Sequence, residues 1–242
     1  MKGFILMLTF LTRIPIKYSF TFNSKDFVSG IKYMPLIGLI IGGCLFPIGL
    51  LDGKIQPSIS SLLIIIIYLM ITGGLHLDGL ADVSDGLLSC RDRDKIFHIM
   101  KDSRIGTFGV ISLILYFINM FVLIIYNGIF VILLFPVVGR CFALLVCAVS
   151  KYAKESGMGK DFIEGTNYIH VIFGFGLLTG LIILLNKPIL LVAIIVTGII
   201  IGIVTYRINK KLGGITGDVI GMTIELSQVI YLLSAYLVYA LI

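Results

Sequence analysis

Long apolar runs separated by short polar segments make up most of this chain of 242 residues. Seven runs approach the roughly 20 residues that an α-helix needs to cross the hydrocarbon core of a bilayer. The strict apolar–polar alternation of a membrane β-barrel strand is absent from them. The pattern predicts an all-α fold, a polytopic membrane helical bundle, with spans at 31–51, 58–75, 105–126, 129–150, 168–186, 189–206 and 219–242.

One further apolar run, residues 4–11, is too short to span, so we expect it to lie in the interface or to pack as a half-helix. Arg13 and Pro15 follow it, and a small-residue cleavage site is missing. We therefore do not interpret it as a cleaved signal peptide. The simplest organisation is one integral-membrane domain, 1–242.

Composition supports a membrane protein. Hydrophobic residues make up 58% of the chain and charged residues only 13%, whereas soluble domains carry roughly 25% charged residues. The net charge of +6 is attributed to Lys and Arg in cytoplasmic loops, not to nucleic-acid binding. The four cysteines, at 44, 90, 141 and 147, form no C-x-x-C pair, so we interpret them as small apolar residues within helices.

The basic residues test this arrangement, because Lys and Arg accumulate in cytoplasmic loops. Outside Arg140, which lies within a span, they number 5, 1, 5, 0, 3, 1, 3 and 0 from the N-terminal segment through the six loops to the C-terminus. This alternation predicts seven spans in the cell membrane, with the N-terminus in the cytoplasm and the C-terminus outside. It also places the loop after the second span, which holds six of the 13 acidic residues, on the cytoplasmic side.

Three aspartates follow the second apolar run. Asp78, Asp82 and Asp85 are spaced i, i+4 and i+7, so a helix would place them on one face. Their mutual repulsion calls for a cation, and Mg²⁺ prefers carboxylate and phosphate oxygens. They are therefore candidate ligands of Mg²⁺ or Mn²⁺ beside a pyrophosphate, with Asp82 or Asp85 as a candidate base. The alternative is a solvated, Asp-rich helix end.

Two other polar blocks could contact phosphate. In residues 100–109, Lys101 and Arg104 are three apart and suit phosphate oxygens, while Asp102 could ligate metal or orient Arg104. The alternative there is a basic anchor for lipid headgroups. In residues 213–221, a glycine-rich turn with Thr216 and Gly217 precedes Asp218, and a helix beginning there would offer free N–H groups to an anion. Asp218 is a candidate metal ligand or orienting residue from a second helix.

Polar residues also occur within the spans, where charge needs a partner. Arg140 lies near the middle of the fourth span, and Glu225 lies two helical turns after Asp218. We expect these two residues to pair or to line a polar cavity, in a structural or a binding role. His76 precedes the aspartates and is a candidate ligand or proton shuttle, with a structural hydrogen bond as the alternative.

Four blocks together resemble one enzyme family. They are F-L-T-R-I-P at 10–15, G-G-L-H-L-D-G-L-A-D-V-S-D-G at 73–86, M-K-D-S-R-I-G-T-F-G at 100–109 and K-L-G-G-I-T-G-D-V-I-G at 211–221. In this order, over nearly the whole chain, they resemble the cobalamin synthases, the adenosylcobinamide-GDP ribazoletransferases. The resemblance implies a Mg²⁺-dependent enzyme embedded in the membrane.

The resemblance also implies the reaction. Adenosylcobinamide-GDP and α-ribazole, or its 5′-phosphate, would give adenosylcobalamin, or its phosphate, and GMP, a late step of cobalamin biosynthesis. The partners would be these small molecules and the lipid bilayer, with no nucleic acid; a homo-oligomer is left open.

Two rival functions remain. A CDP-alcohol phosphotransferase uses similar chemistry, but its D-G-x-x-A-R motif differs from the D-G-L-A-D found at 78–82. A transporter would use Arg140 and Glu225 in its substrate path, although inverted repeats are missing and the acids cluster at one membrane edge.

Overall fold

The computed structural model describes residues 2–17, 23–51 and 53–241. Within these ranges the chain forms twelve α-helices and, as the only extended pairing, one isolated bridge between Tyr152 and Ile215. The helices are α1 (Lys2–Leu11), α2 (Ser24–Gly30), α3 (Met34–Gly49), α4 (Pro57–Thr72), α5 (Leu75–Leu88), α6 (Arg93–Ile99), α7 (Thr107–Tyr126), α8 (Ile129–Val149), α9 (Met158–Gly165), α10 (Tyr168–Leu184), α11 (Leu190–Leu212) and α12 (Gly217–Ala240).

Five helical segments of the described chain are long and apolar enough to cross a membrane: Ser24–Gly49, which joins α2 to α3, and the helices α7, α8, α11 and α12. Two bent pairs qualify only together, α4 with α5 and residues Gly159–Gly165 of α9 with α10. The number of spans reaches seven if each bent pair counts as one. This confirms the predicted all-α polytopic bundle.

The bend between α4 and α5 is 94° and depends on two glycines. Gly73 and Gly74 both have φ of +65°, a left-handed conformation that glycine adopts without steric cost. The predicted second span therefore ends at Thr72 instead of continuing to residue 75. Because α5 turns away and carries three aspartates, we assign α4 to the membrane and α5 to the region outside the spanning segments.

The centre of the bundle is formed by α8 and α12, most of whose residues are buried. Helix α3 packs closely on α8, since a Cβ at Gly38 would lie 2.6 Å from the carbonyl oxygen of Pro136. Small residues allow such close backbone approach between membrane helices. By contrast, α7 exposes more than half of Ile114, Leu115 and Ile118, as expected for a surface that faces lipid.

Candidate active site

Helices α5 and α12 cross in close backbone contact, and this contact builds the site. A Cβ at Gly79 would lie 2.5 Å from the carbonyl oxygen of Asp218, so only glycine fits there. One turn earlier, His76 lies against Gly221, where a Cβ would meet the His76 backbone at 3.3 Å. Gly79 and Gly221, from the blocks at 73–86 and 211–221, thus allow the acidic starts of α5 and α12 to lie together.

The predicted group of carboxylates forms in part. Asp78 is exposed, Asp82 is half-buried, and Asp218 begins α12 beside them. Partial burial, followed by the negative charges of Asp78, Asp218 and Asp85, raises the pKa of Asp82 to about 6. The fold therefore concentrates negative charge at Asp82, as a cation site or a proton acceptor requires.

Asp85 has a different environment from the other two aspartates. It is buried, and its carboxylate accepts hydrogen bonds from the backbone N–H groups of Gly106 (2.7 Å) and Gly109 (2.8 Å). A Cβ at Gly106 would lie 2.5 Å from an oxygen of Asp85, which explains the glycine there. Asp85 thus caps the N-terminus of α7 from another helix.

A polar cavity of about 600 Å³ opens beside Asp218. Lys101 lines it, as the sequence suggested, and so does Lys154, which sequence reasoning missed. The Lys154 ammonium lies 3.9 Å from an oxygen of Asp218. The only signal for Lys154 was its position in the basic loop after the fourth predicted span. Lys101 and Lys154 supply positive charge for phosphate oxygens, and Glu155 and Asp218 add negative charge to the same lining.

Arg104 and Asp102 pair with each other at the surface. The Arg104 guanidinium donates to both oxygens of Asp102, at 3.0 and 2.7 Å, and these hydrogen bonds lower the pKa of Asp102 to about 2. The Arg104 side chain is 87% exposed and is not among the residues that line the polar cavity. Asp102 therefore contacts Arg104 through both carboxylate oxygens, and its expected role of orienting Arg104 stays a prediction.

Thr216 and Gly217 lie where the sequence predicts, at the start of α12. The Thr216 hydroxyl accepts from the N–H of Val219 and contacts an oxygen of Asp218 at 3.1 Å. Gly217 lines the polar cavity. Thr216 thus fixes both the helix start and the Asp218 carboxylate.

Glu225 lies behind the site, at the centre of a buried polar network. It accepts hydrogen bonds from the hydroxyls of Tyr68 (2.9 Å) and Tyr116, and His76 Nδ1 lies 3.5 Å from it. Arg140 is fully buried and donates to the carbonyl of Pro136, at 3.2 Å, without an ion pair to Glu225. The two tyrosines were not anticipated, because the apolar runs that carry them predicted only membrane helices.

Whether Mg²⁺ fits this site depends on which carboxylates are available as ligands. Within residues 2–17, 23–51 and 53–241, no group of three or more His, Cys, Asp or Glu side chains has the spacing of a metal site. Mg²⁺, however, is often held by one or two carboxylates together with substrate phosphates and waters. Asp78, Asp82 and Asp218 supply such carboxylates next to a cavity that suits phosphate, so the donor set is compatible with Mg²⁺.

Comparison with known proteins gives a consistent result over the whole length. The family model described as cobalamin-5-phosphate synthase matches residues 3–236. A protein from Alkaliphilus oremlandii named adenosylcobinamide-GDP ribazoletransferase is 42% identical, over 100% of both chains.

Two further proteins carry the same name. They come from Clostridium acetobutylicum (38% identical, 98% of this chain and 96% of the relative) and from Clostridioides difficile (38% identical, 98% of each). No solved structure matches the chain significantly.

Proposed function

Because this chain belongs to the cobalamin-5-phosphate synthase family, we propose that it catalyses adenosylcobinamide-GDP ribazole transfer at the α5–α12 crossing. The enzyme assembles the nucleotide loop of cobalamin. The observation that carries this placement is the meeting of Asp78, Asp82 and Asp218 beside a cavity lined by Lys101 and Lys154.

The reaction exchanges one phosphate ester partner for another. A ribose hydroxyl of α-ribazole, or of its 5′-phosphate, attacks the phosphorus that is bonded to cobinamide. A new P–O bond forms, the bond from that phosphorus to the bridging oxygen breaks, and GMP leaves with this oxygen and its electron pair. The hydroxyl proton passes to a carboxylate. We assign this role to Asp82, because a pKa of about 6 suits a base near neutral pH.

The remaining residues position and neutralise the pyrophosphate. Lys101 and Lys154 bind its oxygens, and Asp78 and Asp218 would hold Mg²⁺. When bound, this ion supplies positive charge that stabilises the phosphate oxygens during transfer. Asp85 supports the site by holding the start of α7 in place.

The proposed location follows from the loop charges. Five basic residues near the N-terminus and five between α5 and α7 support a site on the cytoplasmic face of the cell membrane. GDP-activated substrates are available on that face. A multi-pass bundle also suits a large amphipathic product.

Purified protein in detergent, given adenosylcobinamide-GDP, α-ribazole and Mg²⁺, tests the proposal by the release of GMP and the formation of cobalamin. Asp82→Asn should lower kcat by roughly 100-fold or more. Asp94→Asn, an exposed aspartate of α6, is the matched control and should keep wild-type turnover. If the wild type does not turn over these substrates but releases CMP from a CDP-alcohol, the proposed reaction is wrong. The protein would then be a CDP-alcohol phosphotransferase.

A further inference from the structure

A second cavity, of about 310 Å³, lies on the other side of Asp218. It is enclosed by α1, α2, α3, α9 and the beginnings of α5 and α12. Most of its wall is apolar, contributed by Phe10, Phe27, Met34, Phe162, Ile220 and Ile224. His76, Asp78 and Asp218 form its polar end. None of the functional roles assigned so far uses this apolar cavity.

The apolar cavity and the polar cavity share a wall. Gly159, Gly217 and Asp218 line both of them. A Cβ at Gly159 would lie 2.8 Å from the backbone nitrogen of Gly217, so this wall consists of closely packed backbone. Two ligands bound on its two sides would therefore meet at Asp218. An enzyme that joins two substrates needs such an arrangement.

We propose that the apolar cavity binds the flat, apolar aromatic base of the ribazole substrate, while the polar cavity receives the pyrophosphate. This inference rests on the proposed function and adds to it the subsite of the acceptor. The volume lies at the lower end of the roughly 300–1,000 Å³ of small-molecule pockets. A corrin ring with its amide side chains is far larger, and guanine and ribose are too polar for such a wall.

The aromatic side chains of the wall suit an aromatic ligand. The rings of Phe10 and Phe27 are edge-to-face with centroids 5.3 Å apart, and those of Phe27 and Phe162 are 6.0 Å apart. A benzimidazole ring can extend such a series by further edge or stacking contacts. With the base inserted, the attached ribose lies at the polar end beside Asp78 and Asp218, and Asp218 also lines the polar cavity.

The test is to fill the cavity and measure each substrate separately. Ile220→Phe enlarges a side chain of the wall and so reduces the free volume of the apolar cavity. Val149→Phe makes the same kind of change in a separate apolar cavity between α8 and α11. We expect Ile220→Phe to raise the KM for α-ribazole by roughly 10-fold or more and to leave the KM for adenosylcobinamide-GDP within about twofold. Val149→Phe should change neither value.

Acceptor substrates with bases of different size show whether Ile220→Phe blocks the base specifically or disturbs the protein in general. The penalty of Ile220→Phe should shrink for the riboside of unmethylated benzimidazole, because the smaller base leaves room for the phenyl ring. An equal penalty for both ribosides, or an increased KM for adenosylcobinamide-GDP instead, would overturn the assignment.

Equilibrium dialysis of α-ribazole with the wild-type protein keeps the inference separate from the proposed function. If the wild type binds α-ribazole and Phe162→Leu binds it more weakly, the subsite is supported even when no turnover is observed. Turnover with an unchanged KM for α-ribazole in Ile220→Phe and Phe162→Leu would refute the subsite and leave the proposed function standing. If Ile220→Phe does not fold, Phe162→Leu alone decides.

Discussion

Three aspartates with similar spacing have three different environments. Asp78 is exposed at the cavity wall, Asp82 is half-buried among like charges, and Asp85 is buried as a helix cap. Under the proposed function, the same type of side chain would bind metal at Asp78, accept a proton at Asp82 and hold a helix at Asp85, according to its neighbours. Substitutions at the three positions should therefore differ in what they change: metal binding at Asp78, proton transfer at Asp82 and stability at Asp85.

Without metal, Asp82→Asn should stabilise the protein at pH 7.5. The pKa of Asp82 is raised from 3.8 to about 6 in the folded protein, so its charged form is disfavoured there. The resulting stability is present below pH 3.8 and is lost as the pH rises through 6. Solvent screening limits the effect to about 1 kcal/mol, or roughly 2–4 °C in Tm.

Thermal unfolding in EDTA at pH 7.5 and pH 4 measures this difference, which should vanish at the lower pH. Added Mg²⁺ should stabilise the wild type more than Asp82→Asn. A lower Tm for Asp82→Asn than for the wild type, in EDTA at pH 7.5, would contradict the interpretation that burial and neighbouring carboxylates disfavour the charged form of Asp82.

Lys154→Met should raise the KM for adenosylcobinamide-GDP by roughly 10-fold or more, since a charge-assisted hydrogen bond contributes about 1.5–3 kcal/mol. Arg104→Met should have a smaller effect, because Arg104 pairs with Asp102 at the surface. The matched control is Lys95→Met, which removes an exposed lysine that faces Asp92 at 3.4 Å and lies outside the cavity. Steady-state kinetics, with GMP release as the signal, would measure the KM of each variant. A larger increase in KM for Arg104→Met than for Lys154→Met would contradict the assignment of Lys154 to pyrophosphate binding.

At the scale of elements, α7 depends on α5 for its first turn. Its N-cap residue is Gly106, which has no side chain to accept a hydrogen bond. Asp85 supplies this acceptor from α5 and adds a negative charge at the positive end of the α7 dipole. The active-site helix and a lipid-facing helix are thus joined through one carboxylate.

Asp85→Ala should lower the free energy of unfolding by about 2–3 kcal/mol, because two backbone N–H groups lose a charged acceptor. Asp92→Ala is the matched control: Asp92 is an exposed N-cap that accepts from Lys95 of its own helix, and its loss should lower the free energy of unfolding by less than Asp85→Ala does. Denaturant unfolding in detergent compares the two. Unchanged stability in Asp85→Ala, with Mg²⁺ binding lost, would make Asp85 a metal ligand instead.

At the scale of the whole molecule, the orientation in the membrane is a prediction from charge. Cys90 is exposed just after α5, on the side predicted to be cytoplasmic. A Cβ at Gly128, in the short turn between α7 and α8, meets nothing within 4 Å, so a cysteine fits there.

A membrane-impermeant maleimide should label Cys90 only in inside-out vesicles. Gly128→Cys, made with Cys90→Ser, should react only from the opposite side. Mass spectrometry of the labelled protein measures both. Labelling of the two positions from one side would contradict the orientation.

Much of this arrangement is predictable from sequence, and the exceptions share a cause. Apolar length identified the spans, and glycines beside aspartates predicted the candidate site. The cap of Asp85 on Gly106, the approach of Lys154 to Asp218 and the tyrosines around Glu225 were missed. Each joins residues far apart in the chain, and such pairing depends on how the helices pack. A single sequence carries no local signal for it.

The position of α7 has a consequence for the lipid environment. Its 20 residues give a length of about 30 Å, close to the thickness of the hydrocarbon core. Hydrophobic mismatch in a thinner or thicker bilayer would tilt or shift this helix. Because Asp85 fastens its first turn to α5, the tilt would act on the helix that carries Asp82. Turnover should therefore vary with the acyl-chain length of the surrounding lipid and be greatest where that length matches α7.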